Sequence, residues 1–451
     1  MTTGLRVDLE DQPSIDAGAI LLVRTLREGG YQALLAGGCV RDLLLGRTPK
    51  DWDVATDADP AAVQQLFAHS EAVGAHFGVV LVHLEGRQYE VARFRQDGVY
   101  RDGRHPETVV FASAEQDAQR RDFTINGMFF DPLAGQLIDY VGGREDLDRQ
   151  LIRAIGQPHQ RFAEDQLRLL RAVRFAARLG FAIEAQTLGA IAESAPLIHR
   201  VSAERVRDEL TLMLTEGQAA RAMQLLLETG LLRQVLPEVA AMDGVAQPPE
   251  FHPEGEVWTH VRMMLAKMAD PTPTLAWGVL LHDIGKPPTY READRIRFDA
   301  HDAVGAQMAD QICQRLRMSK AQTEQIDELV GQHMRIRHAP QMRPSKLKRL
   351  LRESFFPELL ELHRIDCLCS HGSQEIHDFC QAQLQAGASE GLRPARLLKG
   401  EDLIGMGFRP GPLFKEILAA LEDEQLEGRV SNREEAERFV RERFGGPQEH
   451  Q

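Results

Sequence analysis

The stretch Leu34 to Thr56, LLAGGCVRDLLLGRTPKDWDVAT, constrains the fold more than any other part of this 451-residue chain. Its first two leucines fit the end of a buried strand. Gly37 and Gly38 permit a tight turn that brings bare backbone N–H groups close to a ligand. Val40 to Leu45 then starts a helix whose N-terminus favours an anion, and Arg41 adds a positive charge on its first turn. Gly46 to Lys50 forms a break, and Asp51-Trp52-Asp53-Val54 returns to a strand, where residues two apart share a face. Asp51 and Asp53 are therefore expected to project two carboxylates together. Paired anions need a cation, and Mg²⁺ carried with a triphosphate supplies it. The ordered combination predicts the nucleotide and metal site of a nucleotidyl-transfer enzyme.

The length predicts two to four domains with real cores. No apolar run approaches the ~20 residues of a membrane span. The opening MTTGLRVDLEDQ lacks an apolar signal core, so the expected compartment is the cytoplasm, with no membrane partner. Cys39, Cys313, Cys367, Cys369 and Cys380 form no C-x-x-C pair and read as reduced thiols. The formal net charge of −14 argues against a non-specific nucleic-acid coat. RNA would instead need a local basic surface, and two are present: Arg153 to Arg178, and Lys346, Lys348, Arg349 and Arg352.

Along the chain, residues 14–30 read as a helix and Asp59-Pro60 starts another. Apolar alternation around Glu85-Gly86-Arg87 predicts a hairpin that carries Glu90, a third carboxylate or a solvated one. Residues 94–108 read as a long polar loop, with Asp102 and Arg104 placed to meet a nucleotide or to lie at a solvated tip. Arg120-Arg121-Asp122-Phe123-Thr124-Ile125-Asn126 sets cations beside an acid before an apolar element. The Gly142-Gly143 pair suggests a hinge, and from about residue 146 the pattern is helical. In Glu164-Asp165-Gln166-Leu167-Arg168, Asp165 and Arg168 fall one turn apart, away from the apolar stripe. Such pairs are usually surface ion pairs. Here a second reading exists: Asp accepts from the exocyclic amine of cytosine or adenine, and Arg donates to acceptors on the same base edge. Guanine and uracil do not present that pattern. Ser202 in VSAERVRDEL suits a helix N-cap.

A second constellation lies in residues 250–370: His260, His282-Asp283, His301, His333 and Asp366. Imidazoles and carboxylates spread over separate helices suit a divalent-metal nest, and Lys286 stands ready for a phosphate. Mn²⁺, Ni²⁺, Mg²⁺ and Fe are not separated by these ligand types. A degenerate site kept for RNA contact or dimerisation is the alternative.

GGCVRDLLLG with KDWDVAT, RRDFTIN and EDQLR resemble the motifs of class II CCA-adding tRNA nucleotidyltransferases, within the bacterial tRNA nucleotidyltransferase and poly(A) polymerase family. The H, HD, H, H, D set is similar to an HD phosphohydrolase domain. The resemblance runs from residue 34 to about 440. It implies an α+β fold: a polymerase-β-like nucleotidyltransferase head (15–145), a helical neck and body (146–240), an HD domain (241–390) and a helical tail (391–447). It further implies that Asp51 and Asp53 are catalytic and hold Mg²⁺. The nucleotide would be held by Gly37, Gly38, Arg41, Arg121, Asp122, Asn126, Asp165, Arg168, Arg171 and Arg174, with Asp122 reading the ribose. The partners are tRNA, CTP and ATP, the chain being a monomer or homodimer, and the HD site adds a second divalent metal and phosphoester hydrolysis. An A-adding tRNA enzyme, a poly(A) polymerase, and an HD hydrolase with a non-catalytic RNA-binding head share parts of this pattern.

Overall fold

The computed structural model of the chain describes residues 5–6, 15–73, 78–97, 109–248, 250, 253–390 and 392–445. They divide into two compact units, Met1–Ala240 and Ala241–Gln451.

The first unit is built on an eight-stranded sheet. Its strands are β1 (Leu5–Arg6), β2 (Ala33–Ala36), β3 (Asp53–Thr56), β4 (Ser70–Ala72), β5 (Val79–Leu84) and β6 (Arg87–Arg93), then β9 (Met128–Asp131) and β10 (Gln136–Asp139). A separate hairpin pairs β7 (Arg95–Asp97) with β8 (Val109–Phe111). The sheet order is β1-β10-β9-β2-β3-β6-β5-β4, antiparallel throughout except for the parallel pair β3–β6. Strand β2 reads Ala-Leu-Leu-Ala and is buried along its whole length, as a strand covered on both faces must be. Helix Ala17–Glu28, N-capped by Asp16, packs against β2 and β3. Leu34 and Ala36 join a cluster with Ala55, Phe94, Ala114, Ala118 and Phe129, in which the Phe94 and Phe129 rings meet edge to face at 5.8 Å. The predicted hairpin turns at Glu85-Gly86, both with positive φ (50° and 78°), the geometry that suits the twist of two paired strands.

Several expectations change. Strand β3 starts at Asp53, so Asp51 lies in the preceding bend and the two acids are not same-face strand neighbours. The Gly142-Gly143 element forms a corner that is packed at Gly143. The Asp139 carboxylate accepts from the N–H groups of Val141, Gly143 and Arg144 at 2.9–3.1 Å, and a Cβ on Gly143 would sit 2.2 Å from the Thr124 carbonyl. The helical remainder contains short strands: Leu151–Ile152 runs parallel to Ala182–Ile183, and Tyr290–Glu292 pairs with Ile296–Phe298. The helix read through Glu164 to Phe175 is two helices, Pro158–Glu164 and Leu167–Leu179, broken at Asp165 in extended backbone.

The second unit is helical. Its closing residues form their own core of Leu398, Leu403, Phe408, Ile417, Leu421, Val430, Ala436 and Val440. The basic surface expected at 346–352 is largely neutralised. Arg349 and Arg352 pair with Glu422 at 2.9 and 2.6 Å, and Lys348 donates to the Leu426 carbonyl. Among the described residues, no helix is long and apolar enough to cross a membrane.

Candidate functional site

The glycine turn closes β2 onto helix Gly38–Leu44. Gly37 has φ +72°, the left-handed backbone that favours glycine, and a Cβ there would press on the Arg121 guanidinium, its Nη1 2.7 Å away. Its N–H is not bare: it donates to the Met128 carbonyl at 3.2 Å. The helix that follows has no side-chain cap at its N-terminus. Arg41 is buried and donates to Asp42 Oδ1 and to Asn126 Oδ1, at 2.8 and 2.7 Å.

Asp53 opens β3 and stands in register with Glu90 on the parallel strand β6. Burial, then the like charges of Glu90 and Asp51, push its carboxyl up to about 6 against the pull of Arg121. The three acids thus carry more negative charge than the nearby protein cations balance, which fits a divalent cation.

Asp122 is buried. Its Oδ2 accepts from Arg171 Nε and Nη2 at 2.9 and 2.7 Å, and its Oδ1 from Asn126 Nδ2 at 3.1 Å. Burial would raise its carboxyl, but Arg171 and these hydrogen bonds outweigh it and hold it near 2. Asp165 and Arg168 do not pair with each other. Asp165 accepts from Arg205 Nη1 and Nη2 at 3.2 and 2.9 Å and caps Leu167 N at 3.0 Å. Arg168 Nη1 donates to Glu164 Oε2 at 2.7 Å, and Nη2 to the Arg120 carbonyl at 3.0 Å. Arg174 donates to Glu209 at 2.7 Å and Arg121 to Asp117 at 3.0 Å. Ser202 occupies the N-cap position of helix Ala203–Thr215, but its side chain makes no cap hydrogen bond. That helix serves instead through Arg205 and Glu209.

One cleft of about 640 Å³ gathers Gly37, Gly38, Arg41, Asp51, Asp53, Arg121, Asp122, Asn126, Asp165, Arg168, Arg171 and Arg174. Glu90, Phe175 and Arg178 line it as well. Asp102 and Arg104 lie outside the described residues. Two participants were missed in the sequence. Arg205 had a readable signal only in the VSAERVRDEL wording, and Arg178 only in its spacing of seven residues from Arg171.

In the second unit, His260, His282 and Asp283 bring one ligand atom each within 4.8 Å of one another, and so do Asp283, His301 and His333. Asp283 belongs to both groups. The Nδ1 atoms of His282, His301 and His333 donate to the Val279, Phe298 and Val330 carbonyls at 2.9, 2.8 and 2.6 Å. That fixes the tautomer and turns each Nε2 lone pair inward, the arrangement of metal-ligating histidines. His301 Nε2 and His333 Nε2 face each other at 3.3 Å, and His282 Nε2 is buried without a hydrogen bond. These orphaned acceptors fit a divalent cation. Burial, helped by His282, keeps His333 neutral down to about 4. Asp366 Oδ1 lies 3.1 Å from His260 Nε2, and Glu254, not foreseen in the sequence, lies 2.7 Å from Nδ1. Burial alone would lower His260, but Asp366 and Glu254 raise it to about 9. Lys286 is bound to Asp283 at 2.7 Å and to Gln247.

The poly A polymerase head domain model matches residues 33–153, a probable RNA-binding model of polymerase A matches 180–242, and the HD domain model matches 256–369. The CCA-adding enzyme of Enterococcus faecalis is 31% identical over 416 residues, 92% of each chain. That of Geobacillus kaustophilus is 46% identical over 224 residues, 49% of this chain; the match spans about half of the relative's length (55%). Among solved structures, the Bacillus stearothermophilus CCA-adding enzyme in complex with CTP superposes with a TM-score of 0.72 at 28% identity, over 94% of this chain and 96% of that one. The Thermotoga maritima CCA-adding enzyme complexed with tRNA shares the fold, with a TM-score of 0.58 at 20% identity over 95% and 96% of the two chains.

Proposed function

The chain belongs to the CCA-adding enzyme family, and we propose that it extends tRNA 3′ ends with C, C and A, taken from CTP and ATP without a nucleic-acid template. The observation that carries this reading is that Asp165 and Arg168 open on the same cleft as Asp51, Asp53 and the glycine turn. A base-reading pair and a triphosphate site thus share one chamber. Asp165 accepts from the exocyclic amine of cytosine or adenine, and Arg168 donates to the neighbouring ring acceptor. Arg205 and Glu164 hold those two side chains in place, so selection rests on side chains already oriented before the nucleotide arrives. Asp122 receives a ribose hydroxyl while Arg171 keeps it ionised. The N-terminus of helix Gly38–Leu44, with Arg41 and Arg121, holds phosphate oxygens.

Asp51 and Asp53, with Glu90 beside them, would hold the Mg²⁺. When bound, the metal supplies charge stabilisation for the attacking 3′-hydroxyl and the departing pyrophosphate. The test is incubation with tRNA ending at the discriminator base, with CTP and ATP supplied separately and together. Addition of three nucleotides only when both are present supports the reading, and absence of C incorporation overturns it.

The second unit favours a further activity, hydrolysis of a phosphoester. The inward Nε2 atoms of His282, His301 and His333 support it, with His260, Asp283 and Asp366 completing the set that would hold one or two divalent metals. Lys286 lines the cavity at that site, where a substrate phosphate would compete with Asp283 for its ammonium.

A further inference from the structure

Seven arginines line the nucleotide cleft, and six of them are committed to hydrogen bonds: Arg41, Arg120, Arg121, Arg168, Arg171 and Arg174. Arg178 is different. Among the described residues it makes no hydrogen bond, although its side chain is largely sheltered. Its nearest anions are Asp42 at 3.8 Å and Glu216 at 3.7 Å, both beyond hydrogen-bond reach.

These contacts close a ring of alternating charge. Arg41 joins Asp42, Arg178 stands between Asp42 and Glu216, Glu216 meets Arg174, Arg174 meets Glu209, and Arg171 joins Glu209 to Asp122. Asn126 completes it, accepting from Arg41 and donating to Asp122. Phe175 lies inside, with the Arg41, Arg171 and Arg174 guanidinium carbons 5.2, 5.2 and 4.6 Å from its ring centre. Four arginines face four carboxylates, so the ring is neutral. Seven of its eight charges are locked into contacts of 2.7–3.4 Å. Arg178 alone is held in the ring by charge without being bonded.

A guanidinium in a cleft with five idle donors is a receptor for a planar or tetrahedral oxyanion. The spacing sets which part of the ligand it meets. On helix Leu167–Leu179, Arg168, Arg171, Phe175 and Arg178 recur at three, four and three residues and form one stripe. The base-reading Arg168 stands at its start, and Arg178 lies about three turns further on, beside Asp42 of the helix that begins at the glycine turn. We propose that Arg178 is a phosphate-binding residue for the pyrophosphate end of the nucleoside triphosphate, with Asp42 and Glu216 as counter-charges that it leaves when the phosphates bind. The proposal rests on the nucleotidyl-transfer reading given above.

The test compares binding of CTP and CMP, with Mg²⁺ present, to the full chain and to Arg178→Ala, Arg178→Lys and Glu216→Gln by calorimetry. Loss of charge-assisted hydrogen bonds to the outer phosphates should weaken CTP by about ten- to a hundred-fold in Arg178→Ala. CMP, which lacks those phosphates, should change less than about twofold by the same reasoning. Arg178→Lys should fall between, because a point charge replaces a fork. Glu216→Gln removes a competing charge and should tighten CTP. A purely structural ion pair predicts the opposite sign for Glu216→Gln, weakening with both nucleotides. That result, or equal losses of CTP and CMP in Arg178→Ala, overturns the proposal. Wild-type protein that binds neither nucleotide would bring down the nucleotidyl-transfer reading itself, and this proposal with it.

Discussion

The acid limb of nucleotide transfer should be set by Asp53. Its carboxyl titrates near 6 in the folded chain because it is half-buried and faces Glu90 and Asp51, against an ordinary 3.8. That difference corresponds to about 3 kcal/mol of unfavourable negative charge, which a divalent cation relieves. The folded chain holds this proton more tightly than the unfolded chain does. The contribution of Asp53 to stability is therefore fully present below pH 3.8 and is lost as pH rises through about 6. Catalysis runs the other way, because metal binding needs the ionised form. At low Mg²⁺, kcat/KM for CTP should fall about tenfold per pH unit below about 6. Saturating Mg²⁺ should carry that limb toward about 4, since the cation removes the cause of the shift. Glu90→Gln deletes one of the like charges and should move the limb downward by up to about one pH unit at low Mg²⁺. The assay is the initial rate of labelled CMP incorporation into tRNA across pH at constant ionic strength, at two Mg²⁺ concentrations. A limb that ignores both Mg²⁺ and Glu90→Gln would refute the reasoning.

Arg205→Ala should cut kcat/KM for both CTP and ATP by about ten- to a hundred-fold, because the Asp165 carboxylate loses two of its three orienting hydrogen bonds and keeps only the one from Leu167 N; steady-state kinetics check it. Gly143→Ala should destabilise the first unit by about 1–3 kcal/mol, since the added carbon meets the Thr124 carbonyl, as read by urea unfolding. Chelation should abolish phosphoester hydrolysis by the second unit, and His301→Ala should lower the Mn²⁺ bound per chain, both measured against wild type by metal analysis and a chromogenic phosphodiester.

The chemistry of the cleft was more legible than its geometry. A Gly-Gly turn can serve few purposes between a buried strand and a helix, and Gly37 has the positive φ that such a turn implies, whereas its N–H is spent on the Met128 carbonyl. The pairing of Asp53 with Glu90 was half readable: alternation put Glu90 on a strand, but only the parallel register of β3 and β6 sets it beside Asp53. Periodicity carried the helix straight through Asp165. The break there comes from tertiary demand, because Arg205 from a distant helix takes the carboxylate while its Oδ1 caps Leu167. An aspartate that can accept from the backbone N–H two residues on, as Asp165 does from Leu167, is a local turn signal, and weighed against periodicity it would have found the break. The short strands at 151–152 and 290–298 have too few residues to show a period at all. In the second unit the histidine cluster was readable, whereas Glu254 was not, since a lone glutamate before a helix has no distinguishing neighbours.

In the proposed reaction protein side chains, and no nucleic acid, choose the base. Asp165→Ala tests it most directly, with purified protein, tRNA lacking its terminal nucleotides, and each of the four nucleoside triphosphates supplied singly. Transfer should persist at a reduced rate while UTP and GTP gain incorporation relative to CTP and ATP. Transfer that persists with UTP and GTP still excluded would contradict it.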